Sequence, residues 1–137
     1  MTGAEMALYL DTSALVKLVI RESESDELRT FVGAREMVSS QLARTELIRA
    51  IAREQPESVP EAEDLVSEMT LIALSRLLTA QAAWVKPPVL RSLDALHVVT
   101  AASLAGDLEV LVTYDRRMVE AGQMAGLPVA SPGASAA

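Results

Sequence analysis

Four carboxylates in this chain stand where a fold could put them to chemical use. Asp11 ends the short apolar run Met6–Leu10, and Asp115 follows the apolar run Val110–Thr113 with only Tyr114 between. Asp94 falls in the first turn of a helical pattern beginning near Leu93, and Glu46 interrupts the apolar stripe formed by Leu42, Ala43, Leu47 and Ala50. Taken singly, the three aspartates are explained as acids favoured at helix starts by free N–H groups and the helix dipole. Glu46 is likewise explained as a border residue paired with Arg49 or Arg53 one turn on. Taken together they imply more. Were the four to converge within about 5 Å, each pair would repel by roughly 3 kcal/mol at an effective dielectric of about 20, a cost that a divalent cation removes. The chain has no cysteine, and an all-carboxylate ligand set selects Mg²⁺ or Mn²⁺ over zinc. Such an ion lowers the pKa of a bound water and neutralises charge on a phosphodiester, the requirements of metal-assisted hydrolysis of nucleic acid.

Those acids need elements to carry them. Met6–Leu10 reads as a strand followed by a helix over Ser13–Arg21, in which Leu15, Leu18 and Val19 share a face. Ser23-Glu24-Ser25-Asp26 supplies cap candidates for a second helix anchored by Leu28, Phe31 and Val32 and stopped at Gly33. Met37-Val38 is a second strand, and an amphipathic helix spans Gln41–Glu54 before the prolines at 56 and 60. A helix over Glu61–Glu68, a strand over Thr70–Leu74 and a Ser75-capped helix to Trp84 come next; one continuous helix from 61 to 84 satisfies the same pattern. Ser92 caps a helix over Leu93–Ala105, Gly106-Asp107 turns into the strand Val110–Thr113, Asp115 caps the last helix, and Leu127-Pro128-Val129 makes a closing edge strand. Strands alternating with helices predict an α/β fold with a parallel sheet covered on both faces. In such sheets ligands bind beyond the carboxyl ends of the strands, where Asp11 and Asp115 stand.

Composition narrows the class. The 137 residues suffice for a single domain over 1–137, half of them are apolar, and only 3% are aromatic. Twelve basic against 19 acidic residues give a net charge of −7, which argues against an extended surface for coating nucleic acid. No basic–apolar secretory leader opens the chain and no apolar run is long enough to span a bilayer, so a soluble, cytoplasmic protein without membrane attachment is expected. Residues 1–5 and the small-residue tail 131–137 are expected to fray.

Four blocks, YLDTSALVKL (9–18), Glu46 within LARTELIRA (42–50), LRSLDALHVVTA (90–101) and LVTYDRRM (111–118), resemble the PIN-domain ribonucleases. In order, spacing and total length they are most similar to the VapC-type toxins of bacterial toxin–antitoxin pairs. The resemblance spans nearly the whole chain. It implies a PIN-like three-layer sandwich around a mainly parallel, about five-stranded sheet, and a Mg²⁺-dependent endoribonuclease, Mn²⁺ substituting. The metal-binding catalytic cluster would be Asp11, Glu46, Asp94 and Asp115, with Ser13, two positions after the first aspartate, helping to organise it or capping the first helix. It also implies RNA as substrate, a homodimer, and a cognate VapB-like antitoxin that occludes the site.

Arg44, Arg49 and Arg53 on the Glu46 helix, and Arg116 and Arg117 after Asp115, are candidates to hold RNA phosphates. Solvated helix faces explain them too. Lys17 reads as a surface residue, His97 as a packed or hydrogen-bonded helix histidine rather than a general base, and Trp84 and the methionines as core or dimer surface. A haloacid-dehalogenase-type phosphohydrolase needs a second Asp where Ser13 stands; a receiver domain needs a phosphorylatable Asp where Ser39-Ser40 follow Val38; and no Gly-rich nucleotide fingerprint occurs. The remaining alternative is a non-catalytic PIN-like module that binds protein or RNA.

Overall fold

The computed structural model describes residues 6–134. Expectations about residues 1–5 and 135–137 lie outside the described residues. Five strands, β1 (Ala7–Leu10), β2 (Met37–Ser40), β3 (Thr70–Ile72), β4 (Leu108–Val112) and β5 (Val129–Ala130), form one sheet in the order β3-β2-β1-β4-β5. Every pairing is parallel. The expected α/β class and five-stranded sheet are therefore observed. Seven α-helices among the described residues connect the strands: α1 (Thr12–Val19), α2 (Ser25–Val32), α3 (Gln41–Glu54), α4 (Val59–Glu68), α5 (Arg76–Ala82), α6 (Ser92–Ala102) and α7 (Arg116–Met124).

Alternation along β1 splits the core in two, because successive side chains leave a strand on opposite faces. Leu8 and Leu10 join Val110 and Val112 against α1, α2, α3 and α4, whereas Ala7 and Tyr9 join Leu111 against α6 and α7. β1 is buried at every position, as an all-parallel sheet covered on both faces requires. Gly33, at φ +53°, ends α2. A Cβ on Gly122 would meet Val129 Cγ2 at 2.9 Å and Leu111 Cδ2 at 3.1 Å. The missing side chain thus lets α7 lie close on β4 and β5.

Several expected bounds shift for local reasons. The segment 70–74 is a strand only as far as Ile72, paired with β2 through Val38, Ser39 and Ser40, which sets aside a continuous helix from 61 to 84. β2 itself runs on to Ser40, since the buried Ser39 donates its hydroxyl to the Leu10 carbonyl at 2.6 Å and so satisfies a polar side chain inside the sheet. Ser75 caps α5 as expected, accepting from Leu78 N. Ser92 does not cap α6. It is the first helical residue, Arg91 takes the cap position without a side-chain bond, and the helix ends at Ala102. β5 is shorter than expected and contains Ala130 in place of Leu127 and Pro128. Beyond it, Ser131 donates its hydroxyl to the Thr113 carbonyl, and Tyr114 donates its hydroxyl to the Pro132 carbonyl at 2.6 Å. Residues 131 and 132 are thus tied to the end of β4.

Candidate active site

β1 has β2 on one side and β4 on the other; the chain builds outward from β1 through β2 to β3, then crosses back to β4 and β5, and this switch opens a crevice beyond the carboxyl end of β1. Asp11 sits at that point. Its backbone N–H donates to the Val112 carbonyl at 3.2 Å, and its side chain caps α1 by accepting from Ala14 N at 3.1 Å. The carboxylate is 4% exposed and is cradled by hydroxyls. Ser13 Oγ donates to Oδ1 at 2.6 Å, and Thr113 Oγ1 donates to Oδ2 at 2.6 Å. Burial raises the Asp11 pKa above its ordinary value, against the pull of those hydrogen bonds.

Thr113 also links Asp11 to the next acid, its Oγ1 accepting from Asp115 N at 3.2 Å. Asp115 caps α7, its Oδ1 accepting from Arg117 N at 2.9 Å. Ser13 holds the place expected for it: besides bonding Asp11, its Oγ accepts from Tyr114 N at 2.9 Å. It does not cap α1, because Asp11 does.

Glu46 reaches the same end of the sheet from α3, a helix capped by Ser40 and seated on Ala43, Leu47 and Ile51. It does not pair with Arg49 or Arg53. Thr12 Oγ1 and His97 Nε2 each lie 2.7 Å from Glu46 Oε1. Burial pushes the Glu46 pKa up, but the bonds from His97 and Thr12 outweigh it and hold the carboxyl below its ordinary value. Asp94, in the first turn of α6, lines a cavity with Glu46, Arg91, Ser92 and Leu93. Burial, then the charge of Asp115, raises its pKa. Its Oδ2 is buried without a hydrogen-bond partner, and Arg91 Nε stands 3.6 Å away on a largely exposed side chain.

All four expected acids therefore face one end of the sheet, joined by shared hydroxyls, a shared cavity or mutual charge. Among the described residues no three acidic, imidazole or thiol groups are already closed around a common point as metal ligands. The set nonetheless fits a hard cation. Its donors are all oxygen, Asp94 Oδ2 is buried and accepts no hydrogen bond, and Thr12 and His97 both engage Oε1 of Glu46 rather than Oε2.

Sequence reasoning missed Thr12, Thr113 and Tyr9, and gave His97 no part in the site. Thr113 offered a signal, a hydroxyl closing an otherwise apolar strand beside an acid. Arg44, Arg49, Arg53, Arg116 and Arg117 are all exposed. At about 100° per residue, Arg53 and Arg49 lie within about 60° of Glu46 around α3 while Arg44 lies nearly opposite, so Arg44 is not on the crevice side of that helix. Lys17 is not a free surface lysine: its Nζ donates to Glu24 at 2.9 Å and to Glu22 at 3.2 Å. Trp84, 85% exposed, is not core.

Known proteins resemble this chain in sequence and in fold. The PIN domain family model matches residues 8–123. Ribonuclease VapC47 of Mycobacterium tuberculosis is 39% identical over 133 residues, covering 93% of this chain and 98% of that protein. Among solved structures, VapC20 of M. tuberculosis, described as a toxin that cleaves the sarcin-ricin loop, superposes with a TM-score of 0.71 at 13% identity over 85% of this chain and 95% of that one. VapBC2 of Rickettsia felis, bound to a DNA fragment from its promoter, superposes with a TM-score of 0.67 at 16% identity over 91% and 98%. The two solved structures share the fold.

Proposed function

The chain belongs to the PIN-domain family and is a ribonuclease of its VapC branch, and from that premise we propose that it cuts RNA phosphodiester bonds in a Mg²⁺-dependent reaction, Mn²⁺ substituting. Asp11, Glu46, Asp94 and Asp115 would hold the ion. When bound, it would supply an activated water and counter-charge for the phosphodiester. The observation that carries this reading is the gathering of four acids at the switch point of the sheet, one with a buried oxygen that accepts no hydrogen bond. Within it, the chain's own groups have defined tasks. Ser13 and Thr113 fix both oxygens of Asp11, and Arg49, Arg116 and Arg117 are placed on elements flanking the acids where phosphates of a bound strand would pass.

The reading extends to partners. A VapB-like antitoxin and a second copy of the chain are expected, and exposed Leu77, Trp84 and Val89 offer apolar surface for a protein to cover. No helix among the described residues is long and apolar enough to cross a membrane. Action in the cytoplasm is part of the proposal.

The test is direct. Purified protein stripped of any antitoxin should cleave total RNA when Mg²⁺ or Mn²⁺ is added and fall silent with chelator. Binding of RNA or a protein partner without cleavage, with either metal, would move the chain to the non-catalytic alternative.

A further inference from the structure

We infer that His97 and Tyr9 are positioning residues for Glu46, selecting which of its carboxylate oxygens faces the crevice. The inference rests on the nuclease reading above, because it concerns what Glu46 must do there.

The four acids are not held alike. Asp11 and Asp115 cap helices, so backbone N–H groups fix their carboxylates. Glu46 lies in the middle of α3, where the backbone offers its side chain nothing, and it is the longest and freest of the set. Its orientation must come from other side chains. Thr12 Oγ1 and His97 Nε2 both bond Oε1 at 2.7 Å. A carboxylate cannot donate, so the ring hydrogen lies on Nε2. On the far side of the imidazole, Nδ1 lies 2.7 Å from the Tyr9 hydroxyl, which donates to it when the ring is neutral. The two rings meet edge-on, with centroids 5.9 Å apart and planes at 74°. Tyr9 is wholly buried on β1, and His97 is 2% exposed on α6.

A chain of bonds thus runs from the sheet through α6 to α3: the rigid tyrosine orients the imidazole, and the imidazole orients the acid. Both donors fall on Oε1, which turns Oε2 toward the space shared with Asp94. A buried histidine that merely filled the core would not need its outer nitrogen on a functional carboxylate. Partners of this kind, one step removed from an ion, carry much of a site's affinity.

Two substitutions separate positioning from packing. In His97→Gln the side-chain amide nitrogen can occupy the place of Nε2, whereas in His97→Asn it reaches only as far as Nδ1; both replace the ring by a carboxamide. Mn²⁺ affinity, read by electron paramagnetic resonance, and kcat and KM for RNA cleavage should be measured for each. H97N is expected to weaken Mn²⁺ binding by about 10–100-fold and to lower kcat more than it raises KM, with H97Q restoring most of both. Tyr9→Phe, which deletes one hydroxyl, should weaken Mn²⁺ binding in the same direction and serves if H97N does not fold. The chain holds a single histidine, so its ring ¹⁵N signals are assigned without ambiguity and should show a protonated Nε2. Equal Mn²⁺ affinity and kcat in wild type, H97N and Tyr9→Phe would overturn the inference, as would an unprotonated Nε2. Wild type that neither binds Mn²⁺ nor cleaves RNA would instead overturn the nuclease reading, and the ¹⁵N signals would still decide how His97 faces Glu46.

Discussion

Two groups of acids in this molecule meet opposite treatment. Glu22 and Glu24 close on Lys17, whose ammonium donates to both and lies 4.8 Å from the centroid of the Tyr114 ring. Burial pulls the Lys17 pKa down, but the bonds to Glu24 and Glu22 outweigh it and hold the ammonium above its ordinary value; Glu24 is lowered, chiefly by its bond to Lys17. At the carboxyl end of the sheet, Asp11, Glu46 and Asp115 are met by hydroxyls, backbone N–H groups and one imidazole, while Asp94 has the exposed Arg91 side chain at 3.6 Å. A carboxylate answered by a lysine has its charge cancelled within the chain. One held by neutral dipoles is fixed in place with its charge intact, available to an ion from outside.

The sharpest way to break this contrast is Asp11→Asn. It should cut metal-dependent RNA cleavage by about 100-fold or more, roughly 3 kcal/mol of transition-state stabilisation, while raising the melting temperature of chelator-treated protein at neutral pH. An Asn variant that cleaves like wild type removes Asp11 from the site. Next in size, Mn²⁺ at about a hundred times its Kd should stabilise wild-type protein by about 2.7 kcal/mol in thermal melts. That gain should vanish in Asp94→Asn and persist in Lys17→Met; persistence in both would mean that the ion binds elsewhere. Lys17→Met itself should lower the melting temperature by about 2–4 °C and leave the cleavage rate unchanged.

The smallest effect is in pH, where Asp11 and Asp94 should respond with the sign opposite to that of Glu24 and Glu46. Asp11 and Asp94 have folded pKa values raised above the ordinary 3.8. Between that value and the raised one the folded chain binds more protons than the unfolded chain, so their contribution improves as pH falls through the window. Glu24 and Glu46 are lowered from 4.5, so their contribution is present above that value and lost as pH falls through the folded pKa. Subtracting the Asp11→Asn melting curve from the wild-type curve isolates the first behaviour. Without metal, wild type should gain on the variant under mild acid; a flat difference would show that Asp11 carries no burial strain.

Much of the frame was legible because it follows from periodicity. The bounds of α3 match the expected Gln41–Glu54, and Glu46 stood out as a charge in an apolar stripe. The parallel sheet followed from strands alternating with helices. What could not be read was pairing at long range. Thr113 meets Asp11 across 102 positions and His97 meets Glu46 across 51, and no local pattern marks a hydroxyl or an imidazole for a partner that far along the chain. Ser39 and Ser40 hid the end of β2, since two serines lack the apolar signal of a buried strand; their hydroxyls find the Leu10 carbonyl and Leu42 N. Lys17 was misread for a similar reason: its partners sit in the turn before α2, which folds back over α1.

Thr113 has one more tie. Its hydroxyl serves Asp11 and Asp115, while its carbonyl accepts from Ser131, just past a two-residue edge strand. That strand is therefore a handle on the acid cluster. A fusion, a neighbouring molecule or a nick that levers Val129–Pro132 off the sheet would loosen the acids from behind without touching any one of them.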